Sequence, residues 1–261
     1  MRAPTENPLA AGLPDLAADI ISRVRRKRPR VHCLTNAVAQ SFTANVLLAA
    51  GAAPSMMIAP EEIAEFVGRA DALLINLGTL DHERREAAVI AIEAASAEQR
   101  PWLLDPVLVD RSRPRAEFAK ALIARRPSAV RLNSAEFAAI AGTDYGREAL
   151  ERFAIDGHCV AALTGATDLI TDGVRTASIE NGDARMAQVT AMGCAGTALA
   201  AACLAVEADA WIASCAGLLA FAIAGERAAV SARGPGSFAV EMLDSLANLD
   251  GDTLRMRACV R

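Results

Sequence analysis

Short apolar runs alternate with longer segments of helical pattern between residues 31 and 163. The apolar runs occupy residues 31–34, 53–58, 72–77, 102–104, 129–132 and 160–163. Segments with helical spacing lie between them, at residues 40–50, 82–97, 115–126 and 134–141. Strands that alternate with helices form a parallel sheet that is covered by helices on both faces. The pattern therefore predicts an α/β fold and, because no repeat or linker interrupts it, one domain over residues 1–261.

The pattern changes after residue 163. Two short strand-like runs, 169–171 and 176–179, flank the pair Asp172-Gly173, which is a common hairpin turn. This arrangement predicts an antiparallel addition at one edge of the sheet. Beyond Gly193 the chain is rich in alanine, a strong helix former, and it predicts three helices at about 194–207, 210–231 and 236–248.

Composition and charge narrow the class of protein. Of 261 residues, 53% are hydrophobic and 22% are charged, and the formal net charge is -4. Such a chain buries a sizeable core, and its charge favours neither nucleic acid nor an anionic membrane as a partner. The first residues lack the apolar segment of a signal peptide, and the apolar stretch 210–225 is shorter than the roughly 20 residues that span a membrane. We therefore expect a soluble, cytoplasmic protein in which this stretch is a buried helix.

Cysteine and histidine spacing gives no sign of a disulfide framework or of a structural metal site. None of the six cysteines forms a C-x-x-C pair, and a domain of this size needs no disulfides. His32, His82 and His158 also lack the spacing of metal ligands. Most of the cysteines are expected to be small buried side chains in a reducing compartment.

Polar residues and glycines follow nearly every predicted strand. Ligands of an open parallel sheet bind beyond the carboxyl ends of its strands, so these positions are candidate site residues. They are Thr35, Asn36, Asn76, Gly78, Thr79, Asp105, Arg131, Asn133, Glu136, Thr164, Gly165, Thr190, Gly193 and Cys194. Each is weak evidence by itself, because asparagine, threonine and aspartate are also common in turns and helix caps.

Gly193 and Cys194 open a predicted long helix after what resembles a short strand. A glycine-containing turn at a helix N-terminus offers free N–H groups and the positive end of the helix dipole, and both suit phosphate. The segment is neither a Walker A loop nor a dinucleotide-binding fingerprint, since the glycine-lysine pair and the G-x-G-x-x-G spacing are absent. A plain helix start with a buried cysteine is an equally good interpretation of these two residues.

Two acidic residues are candidates for a magnesium site. Asp105 follows an uncharged strand and precedes Pro106, and Glu136 lies three residues after Asn133, just inside a predicted helix. If both face the same sheet edge, they can hold Mg²⁺ against nucleotide phosphates, mostly through water. The alternatives are a loop cap for Asp105 and a capping box with Asn133 for Glu136, and the capping box is favoured for Glu136 taken alone.

A series of ordered motifs resembles the hydroxyethylthiazole kinases, a family of the ribokinase-like superfamily. The motifs are HCLTN at 32–36, FTAN at 42–45, GAAPSM at 51–56, DALLINLGTL at 71–80, DPV at 105–107, RLNSAE at 131–136, TG at 164–165 with Asp168, and GPGSF at 234–238. The similarity extends from about residue 15 to about residue 250. It implies a ribokinase-like three-layer αβα sandwich with a mostly parallel central sheet and an antiparallel edge hairpin.

The resemblance also implies an activity and a set of site residues. The activity is ATP- and Mg²⁺-dependent phosphorylation of the hydroxyl of 4-methyl-5-(2-hydroxyethyl)thiazole in thiamine salvage, by a homotrimer with active sites at the subunit boundaries. By motif position, the resemblance assigns substrate binding to Asn36, Met56 and Gly193, ATP binding to Arg131, Asn133 and Thr164, and the metal to Asp105 and Glu136.

Cys194 stands where other ribokinase-like enzymes carry an aspartate base. A thiol at a helix N-terminus can have a lowered pKa, although it is only a modest base. We therefore expect Cys194 to accept the proton of the substrate hydroxyl or to position that hydroxyl.

Four segments depart from the motifs of the family. Residues 191–193 are AMG where the family has glycine-threonine-glycine, and alanine at the first position is strained if the backbone there needs a positive φ. The others are LVDR at 108–111 in place of a glycine-rich stretch, Ala166 in place of an acidic residue, and Met57-Ile58 beside Met56.

Two alternative functions therefore stay open. One is a ribokinase-like kinase for another small alcohol, such as a pyrimidine or a sugar. The other is a catalytically impaired homologue that only binds ligands. A dehydrogenase fits poorly because the dinucleotide fingerprint is absent.

Overall fold

One sheet of eight strands organises the computed structural model, which describes residues 8–261 and side chains from residue 11 onward. The strands are β1 (Arg30–Leu34), β2 (Ala53–Ser55), β3 (Ala72–Asn76), β4 (Trp102–Asp105), β5 (Ala129–Leu132), β6 (Val160–Leu163), β7 (Asp168–Thr171) and β8 (Thr176–Ile179). Their order is β2-β1-β3-β4-β5-β6-β7-β8. Neighbours from β2 to β6 are parallel, and β7 and β8 add antiparallel strands at the edge.

Helices connect the parallel strands and form most of the last third of the fold. The α-helices of the described part are α1 (Pro8–Lys27), α2 (Gln40–Ala50), α3 (Pro60–Gly68), α4 (His82–Ala97), α5 (Arg113–Ile123), α6 (Ser134–Ala141), α7 (Arg147–Gly157), α8 (Met192–Leu204), α9 (Ala210–Ser231), α10 (Pro235–Ala247) and α11 (Gly251–Arg257). Two 3₁₀ helices occupy Val109–Arg111 and Ala184–Gln188.

The sheet lies between two layers of helices, which confirms the predicted three-layer α/β architecture. α1, α2 and α8 to α11 pack together on one face, and α3 to α7 cover the other. Successive side chains of a strand point to opposite faces, so each strand contributes to both cores. In β3, Leu73 and Ile75 belong to one buried cluster and Leu74, between them, to the other. The predicted antiparallel edge hairpin is also present, as β7 and β8.

The buried helix predicted from the apolar stretch is α9. It is long and apolar enough to span a membrane by composition, but 83% of its apolar window is buried inside the fold. It packs against α8, α10 and α1. A Cβ at Gly217 would lie only 2.6 Å from the Cα of Ala200, so α8 and α9 approach closely at this glycine. α9 is therefore a core helix of the fold.

Two expectations about local structure are wrong. The strand expected at 53–58 ends at Ser55, and beyond it the carbonyl of Met57 accepts a hydrogen bond from the His32 side chain (3.0 Å). The short strand expected before Gly193 is also absent. In its place is the 3₁₀ helix Ala184–Gln188, because Asp183 caps that helix by accepting a hydrogen bond from the N–H of Arg185 (2.9 Å).

Candidate active site

Three neighbouring strands end together at the carboxyl edge of the sheet. β1, β3 and β4 are adjacent, and Asn76 at the end of β3 is in register with Asp105 at the end of β4. Asn36 follows β1 in the next loop. α8 packs on these same three strands. Side chains from four elements therefore meet at this point of the sheet edge.

Cys194, in the first turn of α8, lies at the centre of an amide network. The side-chain nitrogen of Asn76 donates to the sulfur of Cys194 (3.2 Å) and to Oδ2 of Asp105 (2.9 Å). The side-chain nitrogen of Asn36 donates to the same sulfur (3.4 Å) and to Oδ1 of Asn76 (3.1 Å). The sulfur therefore accepts two hydrogen bonds, and its own proton is directed to neither amide.

Close packing fixes the orientation of Asn36. Its Oδ1 accepts a hydrogen bond from the backbone N–H of Ala39 (2.9 Å), which determines which end of the amide is the oxygen. The N–H of Gly78 donates to Oδ1 of Asn76 (3.0 Å). A Cβ at Gly78 would lie 2.5 Å from the Cβ of Asn36, so only glycine permits this approach.

Asp105 is fully buried beside this network. Its Oδ2 accepts hydrogen bonds from Asn76 and from the hydroxyl of Thr197 (3.0 Å), whereas Oδ1 has no partner. Burial raises the pKa of the carboxyl, although the charge of Arg131 and the two hydrogen bonds lower it. A buried oxygen without a partner is costly, and it marks a place where a ligand can supply the missing interaction.

Glu136 forms the predicted capping box at the start of α6. Its Oε2 accepts from the N–H of Asn133 (2.9 Å), and Oδ1 of Asn133 accepts from the N–H of Glu136 (2.9 Å). Its other oxygen accepts from the N–H of Leu108 (3.0 Å), in the loop after β4. Burial, and secondly the negative charge of Asp105, raise the pKa of Glu136. The two carboxyl groups are therefore close enough to interact as like charges.

The guanidinium group of Arg131 lies against the start of α8. A Cβ at Gly193 would lie 2.8 Å and 3.0 Å from its two terminal nitrogens, so a larger residue there would displace the guanidinium group. The Nε of Arg131 is buried and has no hydrogen-bond partner. The charge of Arg131 lowers the pKa values of Asp105, Glu136 and Asp168. A cation at the positive end of a helix dipole is unfavourable by itself, and a phosphate group there would offset that repulsion.

Asp168, at the start of β7, holds the turn that follows β6. Its Oδ1 accepts a hydrogen bond from the N–H of Gly165 (2.9 Å). Burial raises the pKa of Asp168 to about 6, although the hydrogen bond from Gly165 and the charge of Arg131 lower it. The turn places Thr164 and Gly165 at the edge of a cavity beside Gly193.

This cavity has a volume of about 590 Å³. Its lining includes Arg131, Asn133, Thr164 and Gly193, which are four of the residues that the motifs assign to ligands. Another part of the lining is apolar and consists of Met186, Met192, Leu218 and Phe221. The lining also carries three acidic side chains, Asp168, Glu180 and Asp183, and Arg131 is its one basic group among the described residues. A cavity of this size, with polar groups and apolar side chains in its lining, can hold a nucleotide whose phosphates lie at Arg131 and the start of α8.

The other expected site residues lie outside the lining of that cavity. Asp105 and Glu136 are buried, and Asn36 and Cys194 belong to the amide network. Met56 is half-buried and follows β2, next to β1, on the same carboxyl edge. The structure therefore joins Asn36 to Cys194 directly and connects both to Asp105 through Asn76. It places the nucleotide candidates in a separate group that includes Gly193, the residue before Cys194.

The thiol pKa of Cys194 is raised, not lowered as its place at a helix N-terminus would allow. Burial raises the pKa of the thiol to about 11, and the negative charge of Asp105 adds to this effect. The hydrogen bonds from Asn76 and Asn36 and the charge of Arg131 offset it only in part. The thiol is consequently protonated at neutral pH, which suits the positioning of a hydroxyl group better than the removal of its proton.

The carboxyl groups near Arg131 fit a hard divalent cation. Mg²⁺ is bound by one or two carboxylates together with water and phosphate oxygens. Asp105 has an oxygen without a partner, and a cation near it would also relieve its repulsion from Glu136. Within residues 8–261 no three His, Cys, Asp or Glu side chains cluster as metal ligands. A cation here would therefore take most of its ligands from water and phosphate.

Several contributors to the site were given no role from the sequence. Asn76 was only one of many polar residues at strand ends. Thr197 lies one helical turn after Gly193, whose carbonyl it also contacts (3.1 Å), so the i, i+4 spacing was a usable signal. The apolar lining of the cavity had no local signal, because it brings together two distant segments, Met186 with Met192 and Leu218 with Phe221 of α9.

Two departures from the family motifs adopt positive φ values. Ala191, directly before α8, has φ 68°, and Leu108, in the loop after β4, has φ 60°. The expected strain at Ala191 is therefore present. In this left-handed region a residue with a Cβ costs roughly 1–2 kcal/mol more than glycine.

Comparison with known proteins agrees with the sequence motifs. A sequence model of the hydroxyethylthiazole kinase family matches residues 21–252. A hydroxyethylthiazole kinase from Cronobacter sakazakii is 44% identical in an alignment 243 positions long, which covers 88% of this chain and 92% of that protein.

Solved structures show the same architecture. The structure of a hydroxyethylthiazole kinase protein from Pyrococcus horikoshii OT3 superimposes with a TM-score of 0.89 and 36% identity, over 94% of this chain and 98% of that one. A pyridoxal kinase from Staphylococcus aureus in complex with pyridoxal has a TM-score of 0.58 and 15% identity, over 75% and 87% of the two chains. The latter likeness shows the ribokinase-like fold alone.

The substitution Ala191→Gly is predicted to stabilise the protein by about 1 kcal/mol, because glycine adopts a positive φ without the steric cost. The matched control is Ala121→Gly, at an exposed position of α5, which should destabilise the protein by about 1 kcal/mol. Denaturant midpoints measure both changes. A loss of stability at position 191 as large as that at position 121 would contradict the strain.

Proposed function

The chain belongs to the hydroxyethylthiazole kinase family, and from that premise we propose that it transfers the terminal phosphoryl group of ATP to the hydroxyl of 4-methyl-5-(2-hydroxyethyl)thiazole, a step of thiamine salvage. The position of Cys194 carries the proposal. Its sulfur accepts hydrogen bonds from the amides of Asn36 and Asn76, and Asn76 also donates to Asp105. The preceding residue, Gly193, lines the cavity of about 590 Å³. An alcohol held at Cys194 and a nucleotide in that cavity would therefore be neighbours.

We assign ATP to the cavity. Arg131 and the free N–H groups at the start of α8 supply positive charge for the phosphates, and Thr164 and Asn133 add hydrogen-bonding groups. The apolar part of the lining suits the flat base of a nucleotide. Gly193 lies between this cavity and the amide network, so it borders both ligands.

We assign the thiazole alcohol to the region of Asn36, Met56 and Gly193. Asn36 lies in the amide network at the end of β1, and Met56 lies beyond the neighbouring strand β2. Met56 offers a flexible thioether that packs well against an aromatic ring. The hydroxyl of such a substrate would point to Cys194.

Positioning and charge supply most of the catalysis in this proposal. Phosphoryl transfer passes through a loose transition state, so the acceptor hydroxyl need not lose its proton early. The protonated thiol of Cys194 orients the hydroxyl, and Asn36 and Asn76 hold the sulfur in place. Arg131 and the start of α8 stabilise the negative charge on the transferred group.

Asp105 and Glu136 are the residues that would hold Mg²⁺. When bound, the cation neutralises charge on the phosphate oxygens. Asn76 and Thr197 fix one oxygen of Asp105 and leave the other available. The N–H groups of Asn133 and Leu108 fix both oxygens of Glu136.

We propose that the whole chain acts as one domain and that the protein works in the cytoplasm. All six cysteines, which lie within the described residues, are unpaired, as a reducing compartment would favour. The shared sheet and the two buried clusters that flank it support the proposal of one domain.

The activity is tested with purified protein, ATP, Mg²⁺ and a panel of small alcohols. Mass spectrometry of the products is expected to show phosphorylation of the thiazole alcohol in preference to pyrimidine alcohols and sugars, and a chelator should abolish it. A clear preference for another alcohol would replace the proposed substrate. Thiazole binding without turnover at saturating Mg²⁺ would instead indicate a ligand-binding homologue.

The substitution Cys194→Ala is predicted to lower kcat by about 10- to 100-fold, because the hydroxyl loses the group that orients it. Cys203→Ala, in the same helix but in the buried core, is the matched control and should leave kcat within about 2-fold. The proposed role is wrong if Cys194→Ala retains full turnover and Cys194→Asp is no faster than the wild type.

We propose that three copies assemble with their active sites at the subunit boundaries. In the described part of the chain, the edge strand β2 pairs with one neighbour, β1, and residues 53–60 are all half-buried. The apolar side chains of Val38 and Leu48, which precede β2 in the chain, are 68% and 56% exposed. An open edge with apolar side chains favours association with another copy. Sedimentation velocity should therefore give a mass three times the 27.3 kDa of the chain. A monomer at micromolar concentration would refute this assembly.

A further inference from the structure

His32 lies in the middle of β1 and is fully buried. Its ring connects β1 to the chain beyond β2. Nδ1 lies 2.8 Å from the hydroxyl of Ser55, and Nε2 lies 3.0 Å from the carbonyl oxygen of Met57. Phe66 of α3 packs beside the ring, with 6.0 Å between the ring centroids. The imidazole therefore has a protein contact on both nitrogens and beside one face.

The two hydrogen bonds define the tautomer. A carbonyl oxygen only accepts, so Nε2 carries the proton that is donated to Met57. Nδ1 is then the acceptor of the Ser55 hydroxyl proton. Burial lowers the pKa of His32 to about 4, so the ring stays neutral and keeps both bonds at neutral pH.

Ser55 and Met57 are the residues on either side of Met56. β2 is three residues long, is paired only with β1, and contains Pro54, which has no N–H to donate. Such a short edge strand constrains the position of the residues that follow it only weakly. His32 supplies two side-chain bonds at the point where this strand ends, and it therefore fixes the segment that carries Met56.

The same strand connects this segment to the reacting groups. Four residues after His32, the side chain of Asn36 donates to the sulfur of Cys194. β1 and the loop that directly follows it thus carry both the residue that holds the Met56 segment and a residue of the amide network. A shift of the segment relative to β1 would change the distance between Met56 and Cys194.

We infer that His32 is a positioning residue, which places Met56 against the thiazole ring and so sets the affinity for the alcohol without contacting it. This inference rests on the proposed function. If His32 contributed only to the overall stability of the fold, its substitution would change the KM values of both substrates alike. A residue that positions Met56 instead changes the KM for the alcohol and leaves the KM for ATP unchanged, because Met56 does not line the cavity assigned to the nucleotide.

The experiment compares steady-state constants for the alcohol and for ATP in the full chain. His32→Phe keeps a ring but loses both hydrogen bonds, and it should raise KM for the thiazole alcohol by about 10-fold with KM for ATP within about 2-fold. His32→Gln retains a donor that can reach the Met57 carbonyl, and it should recover most of the loss. Ser55→Ala removes only one bond and should give a smaller increase.

His158→Asn is the matched control. His158 is exposed and lies before β6, at the amino ends of the parallel strands and away from the candidate site. It has a positive φ that asparagine tolerates. It should change neither KM. Amide hydrogen exchange of residues 55–59 should be faster in Ser55→Ala than in the wild type. This milder variant keeps the test decisive if His32→Phe does not fold.

The inference is overturned if His32→Phe or Ser55→Ala leaves KM for the alcohol unchanged, or raises KM for ATP equally, while the wild type phosphorylates the thiazole. A wild type that does not phosphorylate the thiazole refutes the proposed function itself, so the two failures are distinguishable.

Discussion

The carboxyl group of Asp105 is buried at the carboxyl edge of the sheet, where hydrogen bonds from Asn76 and Thr197 hold it. These two bonds join β3 and β4 to the first turns of α8. Because the same Asn76 amide also reaches the sulfur of Cys194, the position of the thiol depends on the position of the carboxyl group. The register of the sheet therefore sets the geometry of the whole candidate site.

In the protein alone, two charged side chains of this site, Asp105 and Arg131, each have a buried polar atom without a hydrogen-bond partner among the described residues. Burial and the negative charge of Asp105 raise the pKa of Glu136, and the atom of Asp105 without a partner is the carboxyl oxygen Oδ1. Arg131 compensates in part, but it lies against the positive end of α8 with its Nε unpaired. Buried charges that lack partners cost free energy, and a phosphate group with its cation would supply partners to both signs. The proposed nucleotide site is therefore also the place where ligand binding would offset the most unfavourable interactions.

Departures from the family motifs are concentrated near the same place. Ala191 and Leu108 adopt backbone conformations that glycine prefers, on the two loops that flank the cavity and the acidic pair. The fold tolerates them because the surrounding helices and the capping box at Glu136 determine the path of both loops. The scaffold of the family is thus retained, while the two loops hold residues with a Cβ in left-handed backbone conformations.

Much of the fold followed from local pattern. The strand-helix alternation, the Asp172-Gly173 hairpin and the buried α9 were predicted because periodicity and turn chemistry act over a few residues. The capping box of Asn133 and Glu136 was visible for the same reason, since its members are three residues apart. The ordered motifs also named Arg131, Asn133, Thr164 and Gly193, which the structure brings to one cavity.

What only the tertiary structure decided depends on contacts between distant segments. From the sequence, the place of Cys194 at a helix N-terminus allowed a lowered thiol pKa, whereas burial and the charge of Asp105 raise it to about 11. The end of β2 and the bond between His32 and Met57 were equally hidden, because they depend on which residue lies across the sheet. A pKa and a register follow from the summed environment of a group, and that environment exists only once the chain has folded.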